Sequence, residues 1–216
     1  MEAHRIRSLA AAAGLLLMSA ALDSTRFARP TPSPAPLKPE HGVLFADDFS
    51  GAALAGWRPD RKDVWSLWHG MLRADLPDEK QVRSLIYAGD STWANIAVDL
   101  DVCMIRGVDK GVVVRVRNDS GIAVDLRGGS YQDVLMYFRE WPLGHDDVTN
   151  GNGTWNHLRI EAKGTRFRVF VNGALKIDRR EVKKAPPTGG IALPAYTGGV
   201  GECTVYYDNV LVTKLD

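Results

Sequence analysis

Cysteine is scarce in this sequence. Two residues in 216, Cys103 and Cys203, allow at most one disulfide, so burial of apolar side chains has to stabilise the fold. Charge of one sign is missing as well: 27 Lys and Arg stand against 26 Asp and Glu, a net charge of +1, which implies neither a nucleic acid nor an anionic membrane surface as partner. The apolar stretch from Leu9 to Leu22 falls short of the roughly 20 residues that cross a bilayer, which makes an uncleaved anchor the weaker reading, and no membrane insertion of the mature domain is expected. Familiar catalytic signatures are lacking too. There is no H-E-x-x-H, no Ser nucleophile elbow and no phosphate-binding Gly loop. The glutamates, Glu2, Glu40, Glu79, Glu140, Glu161, Glu181 and Glu202, are too far apart to share one strand face. The run that sets two carboxylates about 5 Å apart in a retaining glycosidase is therefore absent.

What the N-terminal part does contain is a leader. Arg5 and Arg7 precede the apolar run, and Ser19 and Ala21 are small residues suited to signal-peptidase cleavage. Residues 1–21 are expected to be a signal peptide that delivers a secreted or periplasmic chain, with an uncleaved N-terminal anchor as the alternative. Cleavage after Ala21 removes Glu2, Arg5 and Arg7 and brings the net charge to zero. In residues 22–41, Pro30, Pro32, Pro34, Pro36 and Pro39 impose an extended, polyproline-like linker.

Beyond Gly42 the dominant pattern has period two, with Gly, Asn and Asp at short intervals and no helical stretch. Val112, Val114 and Val116 alternate with Arg115 and Arg117; Ile122, Val124 and Leu126 alternate with Asp125 and Arg127; Val134, Met136 and Phe138 alternate with Leu135, Tyr137 and Arg139. Three consecutive strands thus share an apolar and a polar face. Leu158, Ile160, Phe167, Val169 and Val171 are expected in the core from a hairpin through Gly164, and Asn172–Gly173 supplies the next reversal. Trp65, Trp93 and Trp155 are read as core residues as well. Many antiparallel strands with one wet face each make two stacked sheets over residues 42–216.

The stretch "GTWNHLRIEAKGTRFRVFVNG", Gly153 to Gly173, resembles a hairpin of concanavalin A-like jelly rolls. "LFADDFSG", "WSLWHGMLRA" and "VYYDNVLVTKL" resemble the opening strand, the W-x-hydrophobic-x-x-G-x-L segment and the closing strand of the same group. The similarity spans Val43 to Leu215 and includes the 3-keto-disaccharide hydrolase, or family-16-glycosidase-like, domains and the LamG-like modules. It implies an all-β, two-sheet antiparallel jelly-roll sandwich whose first and last strands are neighbours in the convex sheet. It also implies a structural calcium ion near the joined termini, held by Asp208, the main chain near Asp48 and Gly70, with turn and edge amides as the other use of these carboxylates. The strands of Cys103 and Cys203 become neighbours, which implies a disulfide between them, with two buried free thiols as the alternative.

The resemblance is specific to fold and leaves activity open. Where those domains carry a glutamate, this chain has Ala123, and Asp125, on the same face, is the carboxylate left to serve as acid or base. Arg115, Arg117, Asp125, Arg127, Tyr137 and Arg139 are expected to lie together, either as a carbohydrate site or as a solvated face of compensating charges. Trp141, in the loop that follows, is placed to stack on a sugar ring or to cover the sandwich edge. The expected function is a carbohydrate-binding module with its site on the concave face. The alternatives are a glycoside or 3-keto-glycoside hydrolase or lyase using Asp125, and a LamG-like protein-interaction domain.

Overall fold

The computed structural model describes residues 42–216; the expected signal peptide and linker lie outside them. Fifteen strands and no helix are found among the described residues. β1 (Val43–Asp47), β2 (Arg58–Pro59), β3 (Trp65–Trp68), β4 (Met71–Leu76) and β5 (Arg83–Ala88) lead into the long β6 (Ile96–Arg106). The meander β7 (Asp109–Arg117), β8 (Ser120–Arg127), β9 (Asp133–Phe138) and β10 (Trp141–Asp147) follows. β11 (Trp155–Lys163), β12 (Arg166–Val171) and β13 (Ala174–Arg179) form a second meander before β14 (Gly190–Tyr196) and the closing β15 (Cys203–Lys214).

These strands make two antiparallel sheets, a jelly-roll sandwich. The first sheet has the order β13-β12-β11-β6-β15-β4-β3, with β1 also on β15, and the second β10-β9-β8-β7-β14-β5-β2. The predicted alternation holds on the inner faces, where Val112, Val114, Ile122, Val124, Leu126, Val134 and Met136 meet Leu158, Ile160, Phe167 and Val169, all fully buried. Each such side chain contributes roughly 1.5–3 kcal/mol by leaving water, which is why the sheets hold without cross-links.

β1 ends at two adjacent carboxylates, its last residue Asp47 and Asp48 after it. Asp47 accepts from the indole Nε1 of Trp57 at 2.8 Å and from the backbone of Phe49, while Asp48 accepts from the backbone and hydroxyl of Ser50. Both carboxylates thus turn the chain out of the strand.

The disulfide expectation is corrected. β6 and β15 are indeed neighbours, but Cys103 pairs with Tyr206, three residues from Cys203. An odd offset puts the two thiols on opposite faces of the sheet. Cys203 sits in the core between the sheets, whereas Cys103 packs with Met71 and Tyr206 on the outer face, and both are free, buried thiols. Trp65 belongs to the core and Trp93 packs against it, but Trp155 joins the outer cluster around Cys103.

Candidate functional site

The outer face of the second sheet carries a cleft of about 500 Å³, lined chiefly by Arg83, Asp109, Asp125, Tyr137, Arg139 and Tyr196. Its floor follows from an irregularity between β7 and β14. These strands pair only from Gly190 to Ala192, because Pro194 has no N–H to continue the ladder. The hydroxyl of Tyr207 rises from the core into the gap, donating to the carbonyl of Pro194 at 2.7 Å and accepting from the amide of Gly111 at 3.3 Å. At Gly111, which faces Asp125, a Cβ would come within 1.9 Å of the Val124 carbonyl, so only glycine lets β7 and β8 close beneath the cleft.

Asp125 stands at this floor. Its Oδ2 accepts from the Tyr137 hydroxyl at 2.8 Å, a contact made by residues on the adjacent strands β8 and β9. Burial pushes its carboxyl up to about 7, and the charge of Asp109 adds to the push, while the Tyr137 hydrogen bond and Arg127 oppose it. The Tyr137 hydroxyl is raised in turn, first by burial and then by Asp125. Asp109 lies two residues from the partner of Asp125, since Asp109 pairs with Arg127 and Gly111 with Asp125. Its carboxyl is also raised, by burial first, with Arg127 lowering it and Asp133 raising it.

The structure brings together three of the seven residues expected here, Asp125, Tyr137 and Arg139. The other four are placed elsewhere. A bulge between Val114 and Arg117 gives Arg115 a φ of 53° and turns it inward. There it donates to the carbonyls of Ala94 and Gly164 and stacks on Phe167, tying the two sheets together. Arg117, beyond the bulge, is exposed at the hairpin end. Arg127 is held bidentately by Asp133 and covered by the Tyr131 ring, away from the cleft. Trp141 is 72 % exposed but pairs with Phe138, which faces the core, so it stands at the sheet edge and does not wall the cleft.

Sequence reasoning missed Asp109, Arg83 and Tyr196. Asp109 had a signal, because counting back by twos from Asp109's strand neighbours Val113 and Gly111 reaches it on the polar face. Arg83 and Tyr196 oppose each other across β5 and β14, a pairing that no local pattern reveals. The neighbour of Asp109 points the other way: Lys110 is wholly buried, donates to Asn150 Oδ1 at 2.5 Å, and is pushed down to about 8 by burial.

The segments expected to hold calcium border β15 on either side of Asp208 along its length. β4 pairs with it up to Leu72–Tyr207 and β1 from Asp47–Val210, so the turn at Gly70 and the end of β1 both face the bulge at Asp208. Asp208 is fully buried, and its Oδ1 accepts from the Asn209 amide. Among the described residues no three His, Cys, Asp or Glu side chains gather as a metal group. Carboxylate and main-chain carbonyl oxygens, the donor types expected here, suit calcium.

Solved structures show the same fold. The carbohydrate-binding module CBM66 from Bacillus subtilis superposes with a TM-score of 0.62 at 16% identity, covering 74% of this chain and 96% of that one. The VIP36 exoplasmic/lumenal domain in its Ca2+/Man3GlcNAc-bound form gives 0.63 at 14% identity, covering 79% and 88%. A putative glycosyl hydrolase from Parabacteroides distasonis gives 0.55 at 18% identity, covering 79% and 100%. No curated protein sequence matches the chain. A family model does match, over residues 44–213, nearly the whole sandwich and the entire cleft, and by it the chain belongs to the 3-keto-alpha-glucoside-1,2-lyase-like domain family.

Proposed function

We propose that the cleft binds a glucoside carrying a ketone at C3 and removes the substituent at C1 by elimination, with Asp125 as the acid–base group. The observation that carries this reading is the Asp125 carboxyl at the floor of the cleft, pushed up to about 7 with its Oδ2 held by Tyr137. A general base works best when its pKa lies near the operating pH. The family description supports the substrate class. Sugar recognition is common to this reading and to a purely binding module, and the raised carboxyl of Asp125 at the cleft floor favours the first.

The ketone acidifies the C2–H bond. Asp125 takes that proton, the electron pair flows into the C3 carbonyl as an enolate, and on its return C1=C2 forms while the C1–O bond breaks. The proton then passes from Asp125 to the departing oxygen, directly or through water, and the net change is loss of an alcohol without oxidation or reduction. Tyr137 stabilises the ionised carboxyl and fixes its orientation. Arg83 and Arg139 line the same cleft and bring positive charge towards the enolate.

The proposal includes export through residues 1–21 and a structural calcium ion held by Asp208 with main-chain oxygens near Asp48 and Gly70. When bound, that ion would tie the opening and closing strands. The functional test is release of the aglycone from a 3-keto-glucoside and from its unoxidised parent. Release from the first only, lost in Asp125→Asn with the fold intact, is expected; release from the unoxidised glucoside would mean ordinary hydrolysis, and specific sugar binding without any release would mean a binding module.

A further inference from the structure

We propose that Asp109 is the specificity-determining group of the cleft, accepting hydrogen bonds from hydroxyls of the sugar ring whose C2 proton Asp125 removes. The proposal rests on the elimination reading for the position of the ring, and its binding arm stands without that reading.

Three features single Asp109 out. It lines the cleft, yet its carboxylate makes no hydrogen bond or ion pair among the described residues, in contrast to Asp125, which holds Tyr137, and Asp133, which holds Arg127. A half-buried carboxylate left without a donor is costly, and sugar hydroxyls supply the missing donors. Second, the groups around it leave it in that state. Arg127, directly opposite on β8, is occupied by Asp133; Asp125 lies on the diagonal; and in the loop after β14 a glycine, Gly198, faces it, where an added Cβ would lie 3.5 Å from its Oδ2. Third, the spacing fits one ring. Diagonal neighbours on adjacent strands have Cα atoms roughly 7–8 Å apart, so two short carboxylates reaching into the cleft can meet opposite sides of a pyranose. Asp125 at C2 puts Asp109 across the ring, on the side that bears the 4- and 6-hydroxyls.

The substrate class narrows accordingly: a 3-keto sugar with free hydroxyls, not one alkylated or acylated on that side. A site built to accept a hydroxyl proton rejects the analogue that lacks it, because its own polar group is left unpaired.

The test compares wild type, Asp109→Ala and Asp109→Asn on methyl 3-keto-α-glucoside and its 4-deoxy and 6-deoxy analogues. Calorimetric binding of the unoxidised glucosides runs alongside. Removal of one hydroxyl is expected to lower kcat/KM of the wild type by roughly 10- to 100-fold. Asp109→Ala should lose the same factor on the full substrate, mostly in KM, and nothing further on that analogue. Equal losses on every analogue, carried in kcat, would make Asp109 a proton-transfer group and overturn the proposal; so would unchanged binding in Asp109→Ala. Absence of turnover in wild type would fail the elimination reading alone, since the calorimetric comparison still decides whether Asp109 reads a hydroxyl.

Discussion

The Tyr137 hydroxyl donates to Oδ2 of Asp125 at 2.8 Å across β8 and β9, so the acid of the cleft and its orienting group come from directly adjacent strands. This bond lowers the carboxyl's proton affinity against burial and the Asp109 charge, which raise it. Tyr137→Phe should therefore move the acid limb of the kcat/KM profile to higher pH. Elimination needs ionised Asp125, so its rate at neutral pH should fall, by roughly tenfold for a charged hydrogen bond of about 1.5 kcal/mol. A profile that keeps its midpoint would detach Tyr137 from the base.

On the opposite sheet, His157 bridges Asp101 at 2.9 Å and Asp99 at 3.3 Å, and these bonds push its imidazole up to about 9 against burial. A group raised on folding contributes stability that is complete below its unfolded pKa of 6.5 and is lost as pH rises through 9. Wild type should melt progressively lower between pH 6.5 and 9.5 relative to His157→Gln, with the two curves parallel above that window. Parallel curves throughout would show that the bridge is electrostatically silent.

Calcium should raise the melting temperature if it ties β1, β4 and β15 at Asp208, because a ligand of the native state stabilises by mass action. Asp208→Asn should abolish the difference between chelator and excess calcium. Identical melting of the wild type in both conditions would leave Asp208 a purely structural carboxylate.

The two cysteines should react with an alkylating reagent only after denaturation. Burial pushes Cys103 up to about 11 and Cys203 to about 12, so neither thiolate is populated near neutrality. Mass spectrometry of the non-reduced protein should find both thiols free; a mass lower by two hydrogens would mean that a strand had turned over.

The residues that could be read from the sequence are those whose environment is set by local alternation. Val112, Ile122 and Val134 announced their strands because one face of each is buried along its whole length. Asp125 and Tyr137 fell on the opposite face by the same count. Arg115 did not, since one residue in the left-handed region shifts everything after Val114 by a position, and no residue type there demands it. The faces of Cys103 and Cys203 depend on a register between strands a hundred residues apart, which is decided by packing of the whole sandwich. Arg83 and Tyr196 enter the cleft for the same non-local reason, through the order of β5 and β14 in the sheet.

The central claim is that Asp125 removes the C2 proton, and the most direct measurement is the fate of that proton. A 3-keto-glucoside incubated with the protein in deuterium oxide should yield a sugar product in which the C2 protium is gone, whether the product stays unsaturated or has taken up water. Asp125→Asn should leave both the aglycone and the C2 proton in place. Released sugar that keeps its original C2 protium would show that the bond at C1 is broken by direct displacement and would contradict the account.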